Sequence, residues 1–283
     1  MRRLVLASVA VVGVSYNVYA ADVLPVYSKE PSLPPQCTWC GFYQGVNLGY
    51  GSSRDTLDVV GTPGLVNPPF IAAPPLQAAA IIGVTQDLPL HSKGFIGGGQ
   101  IGFMRQFDRF VVGLEADLEG TSARGSATTS NFVVVNGFPG TSTSMSVSNR
   151  LKWLHTLRGE VGYAVLPSLL LYGTGGVAFG GVESNTSINQ GLPAGIVGGP
   201  SDTSFSGTQI GWSAGVGAAW MFARNWSTKV EYLHYDLGSV SYGSSSTTFV
   251  GAPGGTFFYS INTTSTAHFS GDIVRVGLDY HFN

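Results

Sequence analysis

Apolar and polar residues alternate along several stretches of the chain, most regularly near its C-terminus. From Val274 to Phe282 every second residue is apolar, whereas Arg275 and Asp279 occupy alternate positions. An amphipathic helix would place its apolar residues three and four positions apart, so a spacing of two predicts a β-strand with one apolar face. Taken alone, such a strand fits either the wall of a membrane β-barrel or the edge of a soluble β-sandwich.

The same alternation predicts eight strands with two kinds of connection. The strands cover about 42–52, 94–106, 110–120, 148–165, 169–183, 209–222, 226–240 and a last strand that ends at Phe282. Short turns follow the second, fourth and sixth strands, but the other connections are long, at about 53–93, 121–147, 184–208 and 241–267. Strict alternation of short and long connections is typical of outer-membrane barrels. We therefore predict an all-β fold, an eight-stranded antiparallel up-and-down transmembrane β-barrel with short periplasmic turns and long extracellular loops.

The N-terminal sequence predicts export. Two arginines precede an apolar run from Leu4 to Val14, and an A-x-A-like cleavage site ends at Ala20. The run is shorter than the roughly 20 residues that a membrane-spanning helix needs. A later apolar stretch, Ile71 to Val84, contains Pro74 and Pro75, which we expect to interrupt it. We predict three regions: a signal peptide at 1–20, a Pro-rich periplasmic segment at 21–41, and the barrel at 42–283.

Composition agrees with a barrel and argues against a nucleic-acid partner. Apolar residues make up 43% of the chain and charged residues only 11%, below the roughly 25% of soluble domains. The chain has 14 basic and 16 acidic residues, so removal of Arg2 and Arg3 with the signal peptide leaves 12 against 16, a charge of −4. This balance gives no indication of nucleic-acid binding.

Ten charged residues are predicted to face the barrel lumen. They are Glu115, Asp117, Glu119, Lys152, Arg158, Glu160, Lys229, Glu231, Arg275 and Asp279. On the fourth strand, the alternation places Lys152 inward and Leu151 outward. The interior of an eight-stranded barrel is just wide enough for side chains to fill it, and buried charges have to be paired. We therefore predict that ion pairs plug the lumen, with a narrow pore lined by charges as the alternative.

The remaining candidates for chemistry are two cysteines and five histidines. Cys37 and Cys40 have the spacing C-x-x-C, and export favours a disulfide between them over two inert thiols. The histidines are scattered without metal-ligand spacing, and neither a nucleophile elbow nor a P-loop is present. We predict no enzymatic activity, no cofactor and no metal site.

Six segments in order resemble a known family. They are GFIGGGQIGF, FVVGLEADLEG, WLHTLRGEVGYA, LLYGTGGVAFG, NWSTKVEYLHYDLG and DIVRVGLDYHF. They are similar to the outer-membrane β-barrel (porin-like) surface antigens of Gram-negative bacteria, also called outer-membrane immunogenic proteins, whose barrel is of the OmpA type. The resemblance implies location in the cell outer membrane, contact with its lipid, and recognition of the last strand, with Tyr280 and Phe282, by the assembly machinery.

The resemblance also bears on function. We expect a monomeric structural surface protein whose extracellular loops contact a host or surface ligand or support envelope integrity. One alternative is a porin for small solutes. Another is a haem-binding surface protein, because some members of the resembled family bind haem.

Overall fold

The computed structural model describes residues 37–65, 71–72, 74–134, 140–192, 196–197, 201–252 and 255–282. The predicted signal peptide, residues 21–36 of the Pro-rich segment and Asn283 lie outside this part. The elements are β1 (Gly41–Pro63), β2 (Ile71–Ala72), α1 (Pro74–Val84), β3 (Gln86–Phe107), β4 (Phe110–Thr121), β5 (Arg124–Val133), β6 (Thr141–Leu166), β7 (Leu169–Leu192), β8 (Ile196–Val197), β9 (Ser201–Ala223), β10 (Trp226–Ala252) and β11 (Gly255–Phe282). No helix in the described ranges is long and apolar enough to cross a membrane.

Eight long strands form a ring of antiparallel pairs. Their order is β1–β3–β4–β6–β7–β9–β10–β11, and β11 pairs again with β1. Phe42, at the start of the first strand, lies opposite Phe282 on one side and Phe103 on the other. The predicted all-β, eight-stranded antiparallel barrel is therefore confirmed, and the short turns all lie at its predicted periplasmic end.

Side chains alternate between the two surfaces of the ring in its membrane-spanning part. On β4, Phe110, Leu114 and Leu118 are 61%, 62% and 67% exposed on the outer surface. Glu115 and Asp117, which alternate with them, are buried in the lumen. Monomeric soluble proteins rarely expose so large an apolar surface to water, so this outer surface is suited to contact with lipid.

The strands continue much further than the sequence predicts. The connections expected at 53–93, 121–147, 184–208 and 241–267 are largely strand, so the prediction of long loops is wrong for most of their length. A membrane-spanning strand needs about 9–11 residues, whereas β1 has 23 and β11 has 28. Roughly half of each hairpin therefore extends beyond the membrane at the extracellular end.

Above the membrane the ring divides into two four-stranded sheets. The pairing of β9 with β10 ends at Trp212 and Asp236, next to a bulge in which Gly238 has a φ of 75°. On the other side, β3 and β5 pair only at Lys93 and Arg124 within the described residues. One sheet therefore contains β3, β1, β11 and β10, and the other contains β5, β6, β7 and β9.

Helix α1 packs against strands of both sheets near their extracellular ends. It contacts β1 and β11 of one sheet and β5 and β6 of the other. Gln77 donates to the carbonyl of Gly64 at 3.1 Å, and Gln190 donates to the carbonyl of Ala80 at 3.2 Å. The prediction that Pro74 and Pro75 interrupt the apolar stretch is wrong. They begin this helix, because its first turn tolerates residues without an amide hydrogen.

Candidate functional site: the filled lumen

The lumen is filled by three successive layers of side chains, of which the periplasmic layer is apolar and aromatic. Its members are Trp39, Tyr43, Met104, Val111, Ala164, Leu170, Tyr172, Ala219 and Met221. Trp39 is fully buried, and its indole nitrogen donates to the carbonyl of Pro167 at 3.1 Å, in the turn between β6 and β7. Cys37 and Cys40 form a disulfide around the turn that carries Trp39. The disulfide therefore holds Trp39 in the periplasmic mouth of the barrel.

The middle layer is ionic and is centred on two arginines from opposite parts of the ring. Arg158 of β6 binds Glu115 at 2.6 Å, Asp117 at 2.8 Å and Glu231 at 2.8 Å. Its Nε also donates to Thr156 at 3.0 Å. With no exposed surface, this guanidinium is surrounded by acceptors on three strands. A planar group with five donors can satisfy several carboxylates at once, which a lysine cannot do.

Arg275 of β11 completes the same network from the other side of the lumen. Its guanidinium donates to Glu119 at 2.5 Å and to Asp117 at 3.1 Å, and its Nε donates to Glu231 at 2.5 Å. Asp117 and Glu231 therefore bind both arginines, so the ion pairs form one continuous cluster across the barrel. The pairs join neighbouring strands, such as β4 and β6, and they also cross the lumen, as between β4 and β11.

Lys229 and several neutral side chains occupy the periplasmic side of the ionic layer. Lys229 binds Glu115, and its ammonium lies 5.9 Å from the centre of the Tyr43 ring. The Tyr43 hydroxyl donates to Glu115 at 2.6 Å. The amide of Gln100 donates to Asp279 and accepts from Asn47 at 2.9 Å. Tyr43, Gln100 and Asn47 were not predicted as site residues, although their inward positions in alternating strands carry that signal.

The ionic layer contains more acids than bases. Its six acids are Glu115, Asp117, Glu119, Glu160, Glu231 and Asp279, and its three bases are Arg158, Lys229 and Arg275. Glu160 is 4% exposed, and neither of its carboxylate oxygens has a hydrogen-bond partner within the described part of the chain. Carboxylate oxygens of Glu115, Glu160 and Glu231 lie within 4.8 Å of one another, a spacing that could hold a cation. Because Arg158 and Lys229 already bind this group, we assign no metal to it.

Lys152, the tenth predicted lumen residue, faces outward. Its side chain is 40% exposed and pairs with Glu183 of β7 at 2.5 Å on the outer surface. The cause is an irregularity in the pairing of β6 with β7 between Leu151 and Trp153. The irregularity exchanges the faces, so Leu151 is inward and 6% exposed. The alternation continues correctly on each side of this position, but the register changes across it.

The extracellular layer is an apolar core between the two sheets. Its members include Leu57, Val59, Leu88, Leu90, Met145, Val147, Ile188, Tyr259, Ile261, Ala267 and Phe269, together with Leu76, Ala80 and Val84 of α1. Asp55 lies in this region, is 3% exposed, and accepts a hydrogen bond from Ser92 at 3.0 Å. Burial raises the pKa of the Asp55 carboxyl to about 6. This layer separates the ionic cluster from the extracellular side.

The described histidines do not form a common site. His281 bonds with Ser227 at 2.9 Å at the periplasmic end, whereas His234 bonds with Asp272 at 2.9 Å on the outer surface. His155 stacks on Trp153 with the ring centres 4.6 Å apart. These three side chains therefore occupy separate places on the barrel.

The chain is similar in sequence to outer-membrane proteins of bacteria. The chain is 32% identical over 241 residues to the 31 kDa outer-membrane immunogenic protein of Brucella melitensis biotype 1, which covers 84% of this chain and 88% of that protein. It is 31% identical over 231 residues to the 22 kDa outer membrane protein of Rhizobium leguminosarum bv. viciae, covering 78% and 75%. Among solved structures, the outer membrane protein OprG of Pseudomonas aeruginosa superposes with a TM-score of 0.38 and 11% identity, covering 86% of this chain and 97% of that one.

A family match covers nearly the whole chain. Residues 9–282 match the family described as the outer membrane protein beta-barrel domain. The segments that carry the resemblance in the sequence contribute to six of the eight strands of the ring, all except β1 and β9. The chain therefore belongs to the outer membrane protein beta-barrel family, as a barrel of the cell outer membrane related to the outer-membrane immunogenic surface antigens.

Proposed function

We propose that this protein is a structural surface barrel whose lumen does not conduct. The observation that carries the proposal is the filling of the lumen by three different layers in series. A solute would have to displace the Trp39 cluster, then the Arg158–Arg275 cluster, then the apolar core that α1 covers. The proposal assigns no reaction, cofactor or metal to the protein.

The ionic layer supports closure because its charges hold one another in place. Removing one partner from a buried ion pair leaves the other charge without compensation and costs about 3–5 kcal/mol. A solvated path through the layer would have to separate several such pairs at once. Closure therefore does not depend on one gate residue.

The working surface would then be the extracellular extension. Each hairpin carries strands well beyond the membrane, and their outer surface is rich in serine, threonine and glycine, as in RGSATTSNFV of β5. Such a surface can contact a host molecule, another surface component or the envelope itself. We propose that the protein acts as a monomer, and that the assembly machinery reads the end of β11, where Phe282 is 54% exposed.

Planar-bilayer conductance of the refolded protein tests the closed lumen. We expect the wild type to be silent or to flicker weakly. Arg158→Ala and Arg275→Ala should make brief openings more frequent, because buried carboxylates that lose a partner draw water into the middle layer. The apolar layers on each side of it should still prevent a steady current. Lys152→Ala removes a positive charge from the outer surface and should leave the conductance unchanged. A large, steady conductance of the wild type would refute the proposal and favour the small-solute porin.

A further inference from the structure

Four basic side chains form a row on the outer surface of the barrel. Lys93 of β3 lies opposite Arg124 of β5, and Arg124 lies opposite Arg150 of β6. Lys152 follows two residues along β6. All four are exposed to solvent, and we refer to them as the basic row. With cross-strand neighbours about 5 Å apart, Lys93 to Arg150 spans on the order of 10 Å.

The basic row has little compensating charge. Like charges directly opposite each other on neighbouring strands destabilise a sheet, yet here three such residues are adjacent. Lys152 pairs with Glu183. Lys93, Arg124 and Arg150 have no ion pair with any acid of the described residues. Glu183, which pairs with Lys152, also lies opposite Arg150, so one acid faces four basic residues. The row therefore has an excess of positive charge, which favours an anion from outside the chain.

The position of the row identifies where that anion lies. On β3 the exposed apolar side chains run from Phe107 to Phe95, and Lys93 is the next outward residue. At about 3.3 Å per residue and a tilt of about 40°, the twelve steps from Phe95 to Phe107 span about 30 Å, the thickness of the apolar part of a bilayer. Lys93 therefore lies at the level of the headgroups in the outer leaflet.

The charge at this level differs around the barrel. On β11, two strands from Lys93 in the same cross-strand row, Asp272 lies outward and accepts from Tyr232 at 2.6 Å and His234 at 2.9 Å. On the other side of the row, Glu183 of β7 lies opposite Arg150. Acids therefore border the basic row on both sides, which limits it to β3, β5 and β6. Such concentration fits a site for one anionic headgroup better than a general attraction to a charged surface.

We propose that the basic row binds the phosphate groups of an anionic glycolipid in the outer leaflet. Guanidinium groups bind phosphate through two parallel hydrogen bonds, and two of the four residues are arginines. Phe95 and Trp153, which lie on the periplasmic side of the row, provide the apolar and aromatic surface that the acyl chains of the same lipid would contact. The site extends the barrel's contact with lipid from its apolar belt to a specific headgroup.

The test measures binding of a fluorescent bisphosphorylated lipid A to the refolded, full-length barrel in neutral detergent micelles. The row variant is the triple substitution Lys93→Gln, Arg124→Gln and Arg150→Gln. Each basic residue near an anionic headgroup contributes about fivefold to affinity, so the row variant should bind on the order of 100-fold more weakly. Heat-modifiable migration verifies that each variant is folded.

The matched control is the triple substitution Arg105→Gln, Arg109→Gln and Arg224→Gln. It removes the same charge from exposed residues at the periplasmic end and should bind lipid A as the wild type does. A charge-preserving variant, Lys93→Arg with Arg124→Lys and Arg150→Lys, should keep most of the affinity.

Four results would each overturn the proposal. The first is wild-type affinity in the row variant, and the second is equal weakening in the row variant and the control. Equal binding of dephosphorylated lipid A would show that phosphate is not the group recognised. Competition by inorganic phosphate at millimolar concentration would show a site for free anions rather than for a lipid headgroup.

Discussion

The ionic layer makes one quantitative prediction, because two basic residues on the same strand have opposite environments. Arg158 and Lys152 both lie on β6 and are six positions apart. Arg158 is buried among three carboxylates, whereas Lys152 forms one exposed pair with Glu183. We compare Arg158→Met with Lys152→Met, since methionine keeps an unbranched side chain of similar length and removes the charge in both cases.

The structure gives different magnitudes for the two substitutions. Arg158→Met removes ion pairs of 2.6–2.8 Å to Glu115, Asp117 and Glu231. Arg275 and Lys229 still bind these acids, so we take the lower end of the 3–5 kcal/mol range for loss of a buried partner, about 3 kcal/mol. That is a change of on the order of 100-fold in the folding equilibrium. The Lys152–Glu183 pair is partly exposed, so its loss should cost less than about 1 kcal/mol.

The measurement is reversible urea unfolding of the refolded barrel in neutral lipid vesicles, followed by tryptophan fluorescence and by heat-modifiable migration. Repeating it at acidic pH gives a second comparison. Arg158→Met leaves Glu115, Asp117 and Glu231 with one positive charge fewer between them. Protonation neutralises these carboxylates, so the stability deficit of Arg158→Met should become smaller as the pH falls. Lys152→Met should show little dependence on pH beyond that of the wild type.

Equal destabilisation by the two substitutions would refute this reasoning. It would mean either that Arg158 does not carry the lumen cluster or that the change of register at Leu151–Trp153 is absent. Greater destabilisation by Lys152→Met than by Arg158→Met would refute it as well. A pH-independent deficit in Arg158→Met would show that packing, rather than uncompensated charge, is responsible.

Three further predictions address other parts of the barrel. Val276 is 53% exposed on the outer surface, so Val276→Arg should destabilise the barrel by about 2–4 kcal/mol in urea unfolding. An unchanged stability would mean that β11 is shifted by one residue and that Val276 does not face lipid. Because burial raises the pKa of Asp55 from 3.8 to about 6, the folded state binds the proton more tightly than the unfolded state, and stability should fall as the pH rises from about 4 to 6. Asp55→Asn should reduce that fall, by up to on the order of 3 kcal/mol, and an unchanged pH profile would contradict it. Deletion of Phe282 and Asn283 should lower the amount of protein in the outer membrane and raise its degradation in the periplasm, and an unchanged amount on immunoblots of outer-membrane fractions would show that this end is not the assembly signal.

The part of the fold inside the membrane could be predicted from the sequence, because lipid imposes a strict pattern on it. Outward residues must be apolar and inward residues fill a narrow lumen. Apolar and polar residues therefore alternate with a period of two in β4 and β11, although the chain contains many glycines. Arg158, Lys229 and Arg275 stand out there because charge is rare elsewhere in the chain. Lys152 was misplaced because a change of register leaves no mark on the local pattern of polarity.

The extracellular part could not be predicted in the same way. Its outer surface faces water and its strands are rich in serine, threonine and glycine, which occur equally in loops. Only the inner positions, such as Leu57 and Val59, carry the alternation. The division into two sheets depends on the loss of pairing between β9 and β10 and between β3 and β5, which is a property of strands far apart in the sequence. Gln77 is the one polar residue of helix α1, so the helix lacks the period of 3.6 that identifies an amphipathic helix.

The two extracellular sheets have a consequence for the order of events during biogenesis. Each extracellular sheet consists of the distal parts of hairpins whose strand ends remain at the periplasmic side. These distal parts therefore have to cross the membrane before the sheets can fold. Their core joins β1 and β11, the first and last strands of the ring. It therefore cannot be complete until the last hairpin has crossed, and until then its apolar inner faces remain in water. The extracellular extension can therefore fold completely only when the ring of strands is closed. A barrel that lacks its last hairpin would not present the folded extension at the cell surface.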